Sequence, residues 1–150
     1  MGSVNDEMKD RKHGVLLVDD HALILQGIKF IVESMPEIGE VCTASSAAEA
    51  IALIKNKSFC VCLLDIELPD LSGFELLEII KDKCPDSRII VNTMHEETWI
   101  VKKLLQIGVD GVILKSSDTD EIKNALESVL KGGKYFCNEF NKIRKRLRFS

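Results

Sequence analysis

The chain has 150 residues, of which 45% are hydrophobic and 29% charged, with a formal net charge of −4. That is enough chain for one domain with a real core, and the balance excludes a disordered or fibrous polymer. No apolar run approaches the roughly 20 residues that a membrane-spanning helix needs, so no membrane partner is expected and the cytoplasm is the expected location.

Residues 1–12 mix charges without an apolar stretch, which is not a signal peptide, and are expected to form a flexible leader. Beyond them two patterns alternate. Short continuous apolar runs occur at Val15–Val18, Val41–Ala44, Cys60–Leu64, Ile89–Val91 and Val112–Leu114. Continuous rather than alternating runs suit strands covered on both faces, as in a parallel sheet.

Between the runs lie segments with helical spacing. The first carries Ile24, Ile28, Ile31 and Val32, the second Ala47, Ala50, Ile51 and Ile54, and the third Leu76, Leu77 and Ile80. A fourth carries Ile100, Leu104 and Ile107, and a fifth Ile122, Ala125, Leu126 and Val129. Ser46 to Glu49 and Ser72 to Glu75 read as capping boxes, and Asp118 to Glu121 as an acidic variant. Gly108 is placed to end the fourth helix and Gly132-Gly133 the fifth. The pattern predicts an α/β domain, (βα)5, with a doubly wound parallel five-stranded sheet and helices on both faces.

After Gly133 the pattern weakens, although Phe136, Phe140, Ile143 and Leu147 keep helical spacing. Charge changes sign here. Residues 13–130 carry 20 acids and 10 bases, whereas residues 131–150 carry seven bases and one acid. The acidic body is unsuited to binding nucleic acid by itself. Residues 134–150 are read as a basic extension or the start of a linker, solvated or a frayed helix.

In an open parallel sheet, ligands bind beyond the carboxyl ends of the strands. The first run ends in Asp19-Asp20, the third in Asp65, the fourth in Thr93 and the fifth in Lys115. Three carboxylates brought together repel one another, and a divalent cation such as Mg2+ removes that cost. Lys115 supplies a compact positive charge and Thr93 a hydroxyl donor. Nucleophilic carboxylate, metal, ammonium and hydroxyl together suit phosphoryl transfer to Asp65. Singly, each residue has a plain alternative: a helix cap for Asp19-Asp20, a turn for Asp65, solvated loops for Thr93 and Lys115. Their agreement at four strand ends is what carries the reading.

The segments Val15 to His21, Leu63 to Glu75, Thr93-Met94-His95 and Gly111 to Ser116 resemble the receiver domain of bacterial two-component response regulators, over residues 13–133. The Asp19-Asp20-His21 opening, Thr93-Met94-His95 and the glycine pair before Tyr135-Phe136 resemble the NarL/FixJ subfamily, whose receivers usually precede a LuxR-type helix-turn-helix. The resemblance implies a flavodoxin-like strand order of 2-1-3-4-5 and a signalling switch rather than a turnover enzyme. It implies that Asp65 accepts a phosphoryl group from a sensor histidine kinase. Asp20 and Asp19 would bind Mg2+ together with Asp65 and the backbone carbonyl of Glu67. Lys115 would pair with the phosphoryl oxygens, and Thr93 would move toward them as the switch hydroxyl. A homodimer on phosphorylation, and DNA reached only through an output domain outside this chain, are the partners implied; a stand-alone receiver acting through proteins is the alternative.

Three features depart from that family. Val112 stands where an aromatic is usual, Glu67 places an acid two residues after the acceptor, and no helix-turn-helix is expected within residues 1–150. Asp65-Ile66-Glu67 is weakly similar to the Asp-x-Asp of haloacid-dehalogenase-type phosphatases, whose nucleophile sits on the first strand and whose second acid is Asp. His21 and His95 flank the site, and Trp99 is expected to be half-buried on the fourth helix. Cys60 and Cys62 are expected on one strand face, as core thiols or, less simply, a soft-metal pair.

Overall fold

A computed structural model describes residues 13–148; the leader expected over residues 1–12 lies outside the described residues. The strands are β1 (His13–Val18), β2 (Ile38–Ala44), β3 (Val61–Leu64), β4 (Arg88–Thr93), β5 (Gly111–Leu114) and β6 (Tyr135–Phe136). The helices are α1 (Ala22–Glu33), α2 (Ala47–Asn56), α3 (Gly73–Lys83), α4 (Thr98–Ile107), α5 (Thr119–Leu130) and α6 (Asn138–Arg148).

All strand pairings are parallel, in the order β2-β1-β3-β4-β5-β6. The order expected for the first five strands holds, but the sheet has six strands, not five. Tyr135 and Phe136 pair with Gly111 and Val112 of β5. A two-residue strand is too short to show a periodicity, so its pairing is invisible in the local pattern. Gly111 makes room for it, since a Cβ there would lie 2.9 Å from the Tyr135 carbonyl oxygen.

The continuous apolar runs bury both faces of the sheet. Leu16, Val18, Cys62, Leu64, Ile89, Val91 and Val112 point to the side covered by α2, α3, α4 and α6. Val15, Leu17, Val61, Leu63, Ile90 and Ile113 point to the side covered by α1 and α5. This alternation follows from the two-residue period of a strand.

Helix starts follow the expected residues with altered partners. Ser46 accepts from the Glu49 amide at 3.2 Å, but the Glu49 carboxylate turns to the amide and hydroxyl of Ser45. Ser72 accepts from the Phe74 amide, one residue earlier than in a capping box. Asp118 accepts from the Glu121 amide at 2.8 Å, while the Glu121 carboxylate takes the hydroxyls of Ser117 and Tyr135. Gly108 ends α4 in the left-handed conformation (φ 87), which favours glycine.

Candidate functional site

The sheet brings Asp19, Asp65, Thr93 and Lys115 to one edge because β1, β3, β4 and β5 are parallel neighbours in near register. Asp65 and Asp19 are 2% and 3% exposed, and Thr93 is fully buried. Two backbone bonds hold the carboxylates at the strand ends: the Asp65 amide donates to the Val18 carbonyl, and the Asp19 amide to that of Ala44.

Lys115 reaches across from the end of β5. Its Nζ lies 2.6 Å from Asp65 Oδ2 and 3.2 Å from Asp19 Oδ2, with the side chain 6% exposed. The other Asp65 oxygen accepts from the Glu67 amide at 3.0 Å. Burial pushes the Asp65 carboxyl above its ordinary range, against the pull of the Glu67 amide and the Lys115 ammonium. Burial also works against the charge on Lys115, yet its hydrogen bond to Asp65 and the nearby Asp19 hold it above the usual lysine value.

Asp19, Asp20, His21 and Asp65 each offer a ligand atom, all within 4.8 Å of one another. Asp19 Oδ2 is buried, with the Lys115 ammonium 3.2 Å away. Three carboxylates facing one ammonium leave negative charge that a divalent cation would offset, and the oxygens of Asp19, Asp20 and Asp65 suit such an ion. The set includes Asp20, which is more open to solvent.

Thr93 and Glu67 take other partners in this structure. The Thr93 hydroxyl accepts from the His95 amide at 3.0 Å. The Glu67 carboxylate bonds His95 Nε2, and His95 Nδ1 lies 3.2 Å from Glu97. These carboxylates raise the His95 pKa above its ordinary value. The Glu67–His95 contact joins the loops after β3 and β4, and local pattern does not announce it because 28 residues separate the pair.

His21 stands closer to the chemistry than its place before α1 suggests. Its Nδ1 is 2.9 Å from Asp19 Oδ1 and 3.1 Å from Lys115 Nζ. Trp99 is 61% exposed, not half-buried, with its ring 6.1 Å from that of Phe74. Cys60 is exposed and Cys62 buried, so they form no shared thiol face, and burial pushes the Cys62 thiol up to about 12. That favours the simple core-thiol reading of Cys62.

The profile of the response regulator receiver domain matches residues 15–127. The transcriptional regulatory protein MctR of Rhizobium johnstonii is 35% identical over 124 residues, 83% of this chain and 58% of that protein. The nitrate/nitrite response regulator protein NarP of Escherichia coli is 32% identical over 136 residues, 90% of this chain and 63% of that protein. The chain thus spans less than two thirds of the length of these relatives. A two-component response regulator of the LuxR family from Aurantimonas sp. SI85-9A1 superposes with a TM-score of 0.84 at 27% identity, covering 93% of this chain and 99% of that one. Among the described residues, no helix is long and apolar enough to cross a membrane.

Proposed function

The chain belongs to the response regulator receiver family, on its LuxR-type (NarL/FixJ) branch, and on that premise we propose that Asp65 stores the signal as an aspartyl phosphate. The observation that carries the proposal is the buried Asp65 carboxylate, held 2.6 Å from Lys115 Nζ beside two further carboxylates.

A receiver of this family is a switch, and its acidic pocket suits a cation. In the proposed reaction an Asp65 oxygen bonds to the phosphorus of a phosphohistidine on a sensor kinase. The phosphorus–nitrogen bond breaks, and its electron pair returns to the donor imidazole. Asp19, Asp20, Asp65 and the Glu67 backbone carbonyl would hold Mg2+, which when bound offsets charge on the phosphoryl oxygens. Lys115, already paired with Asp65, follows the charge onto the new phosphoryl oxygens. Thr93 releases the His95 amide and donates its hydroxyl to the phosphoryl group. That exchange biases the neighbouring β4–α4 loop between two arrangements.

Transcription is the proposed output, supported by relatives named as transcriptional regulators. DNA would be reached through an output domain rather than this acidic receiver, with homodimer formation on phosphorylation. The decisive experiment incubates wild type and Asp65→Asn with acetyl phosphate and Mg2+ and reads intact mass. Wild type is expected to gain one phosphoryl group and Asp65→Asn none, with size-exclusion chromatography reporting any dimer. No gain, or equal gain in both, would refute Asp65 as the acceptor; rapid multiple turnover without accumulation would favour a phosphatase.

A further inference from the structure

We propose that Asn92 is a positioning residue that holds one buried water against Asp19, beside the acceptor. On β4, Ile90 points into the layer covered by α1 and α5, and Asn92, two residues on, points the same way. Val18, Leu64 and Val91 stand level across β1, β3 and β4. One residue further along each strand, Asp19, Asp65 and Asn92 therefore form a single row. A carboxamide continues the acidic row before Ile113 of β5, its partner on the other side.

Asn92 is 4% exposed, and its Oδ1 finds no hydrogen-bond donor among the described residues. A buried acceptor without a donor is costly, so such a group calls for an explanation. Asn92 lines a cavity of about 10 Å3 together with Leu17, Leu25, Ile28, Leu63 and Asp19. That is about the space one water needs. A buried water also needs about two or more polar partners. Asn92 and Asp19 are the residues of this wall with polar side chains.

Asp19 can accept the second hydrogen of that water. Its Oδ1 faces the His21 amide at 2.8 Å and the ring Nδ1 at 2.9 Å. Its Oδ2 faces the Lys115 ammonium at 3.2 Å, with a lone pair to spare. The water donates one hydrogen to Asn92 and the other to Asp19. Its hold on Asp19 reaches the acceptor through Lys115, whose Nζ lies against both Asp19 and Asp65. The positioning role rests on the reading of Asp65 as the acceptor; the water site does not.

The test compares wild type with Asn92→Leu, close in shape but apolar, and Asn92→Ser, which keeps a hydroxyl. Oxygen-17 relaxation dispersion of the metal-free chain should count fewer long-lived waters in Asn92→Leu than in wild type or Asn92→Ser. With acetyl phosphate and Mg2+, Asn92→Leu should gain its phosphoryl group at least about fivefold more slowly, the factor that one hydrogen bond is worth. Asn92→Ser should recover most of that rate. Asn92→Leu should nevertheless unfold at the same or higher urea than wild type, because an apolar group replaces a buried polar one. Packing alone would make rate and stability fall together. Equal water counts in wild type and Asn92→Leu overturn the site. Loss of the water without loss of rate overturns the positioning role, as does a slow Asn92→Leu that is also less stable and not rescued by serine. If wild type gains no phosphoryl group, the reading of Asp65 falls and the positioning role with it, while the water count still decides the site.

Discussion

At the scale of single residues, His95 and Gly73 carry the sharpest consequences. His95 is held above its ordinary pKa by hydrogen bonds to Glu67 and then Glu97. A histidine raised on folding contributes stability below its unfolded pKa of about 6.5, and that contribution is lost as pH rises through the folded value. Proton NMR should therefore show His95 titrating above 6.5, and Glu67→Gln should bring it down; an unchanged midpoint would contradict the contact. Gly73 opens α3 where a Cβ would lie 2.2 Å from Ile66 Cα and 2.5 Å from the Ile66 carbonyl oxygen. Both obstacles are backbone, one residue beyond Asp65, so neither can swing aside. Gly73→Ala should cost about 1–3 kcal/mol in urea unfolding, as overpacking does, and should slow phosphorylation by shifting the acceptor loop. Ser72 and Glu75 are legible as a helix start, but the close approach of Ile66 is a matter of three-dimensional packing alone.

At the scale of elements, β6 and α6 are where local pattern falls short. The residues that order them come from elsewhere in the fold. The Tyr135 amide donates to the Asp110 carbonyl and the Cys137 amide to that of Val112, both toward β5. Phe136 stacks on Phe140 at 5.2 Å, and the Arg144 guanidinium lies over the Phe136 ring. Phe140 is 4% exposed in the same core as Val112. Five of the seven basic residues, Lys142, Arg144, Lys145, Arg146 and Arg148, therefore belong to a helix packed through its apolar side against the α4 side of the sheet. Gly111→Ala would press against the Tyr135 carbonyl and should loosen β6 without dissolving β5. Hydrogen exchange at the Tyr135 and Cys137 amides should accelerate while the Ile113 amide stays protected. Equal protection in both proteins would show that Gly111 does not set the approach. The β3–α3 loop is tied down in a similar non-local way, because Asp70 accepts the Ala47 and Ala48 amides at the start of α2, each at 2.9 Å.

At the scale of the whole molecule, a buried acidic cluster is held together by a stable parallel sheet. Burial raises the Asp65 pKa, so the contribution of its protonated form is lost as pH rises through the folded value, and the metal-free fold carries a cost at neutral pH. Asp65→Asn should accordingly unfold at higher urea than wild type at pH 7 without divalent ions, and the order should narrow as metal is added. A bound ion at about 100 times its Kd stabilises by about 2.7 kcal/mol, which the wild type should gain and Asp65→Asn should gain only in part. A less stable metal-free Asp65→Asn would mean that its pairing with Lys115 outweighs desolvation. The sequence by itself determined the five longer strands, since strands buried on both faces must be continuously apolar, and the helices, since each buries one stripe at period 3.6. It also placed Asp19, Asp20, Asp65, Thr93 and Lys115 at strand ends, which a parallel sheet brings to one edge. Only the tertiary structure decided the sixth strand, the joining of Glu67 to His95, and the seat of His21 among three carboxylates and Lys115. Those contacts bridge residues as many as 94 positions apart, and their energies arise from packing and charge across the sheet rather than from any local run.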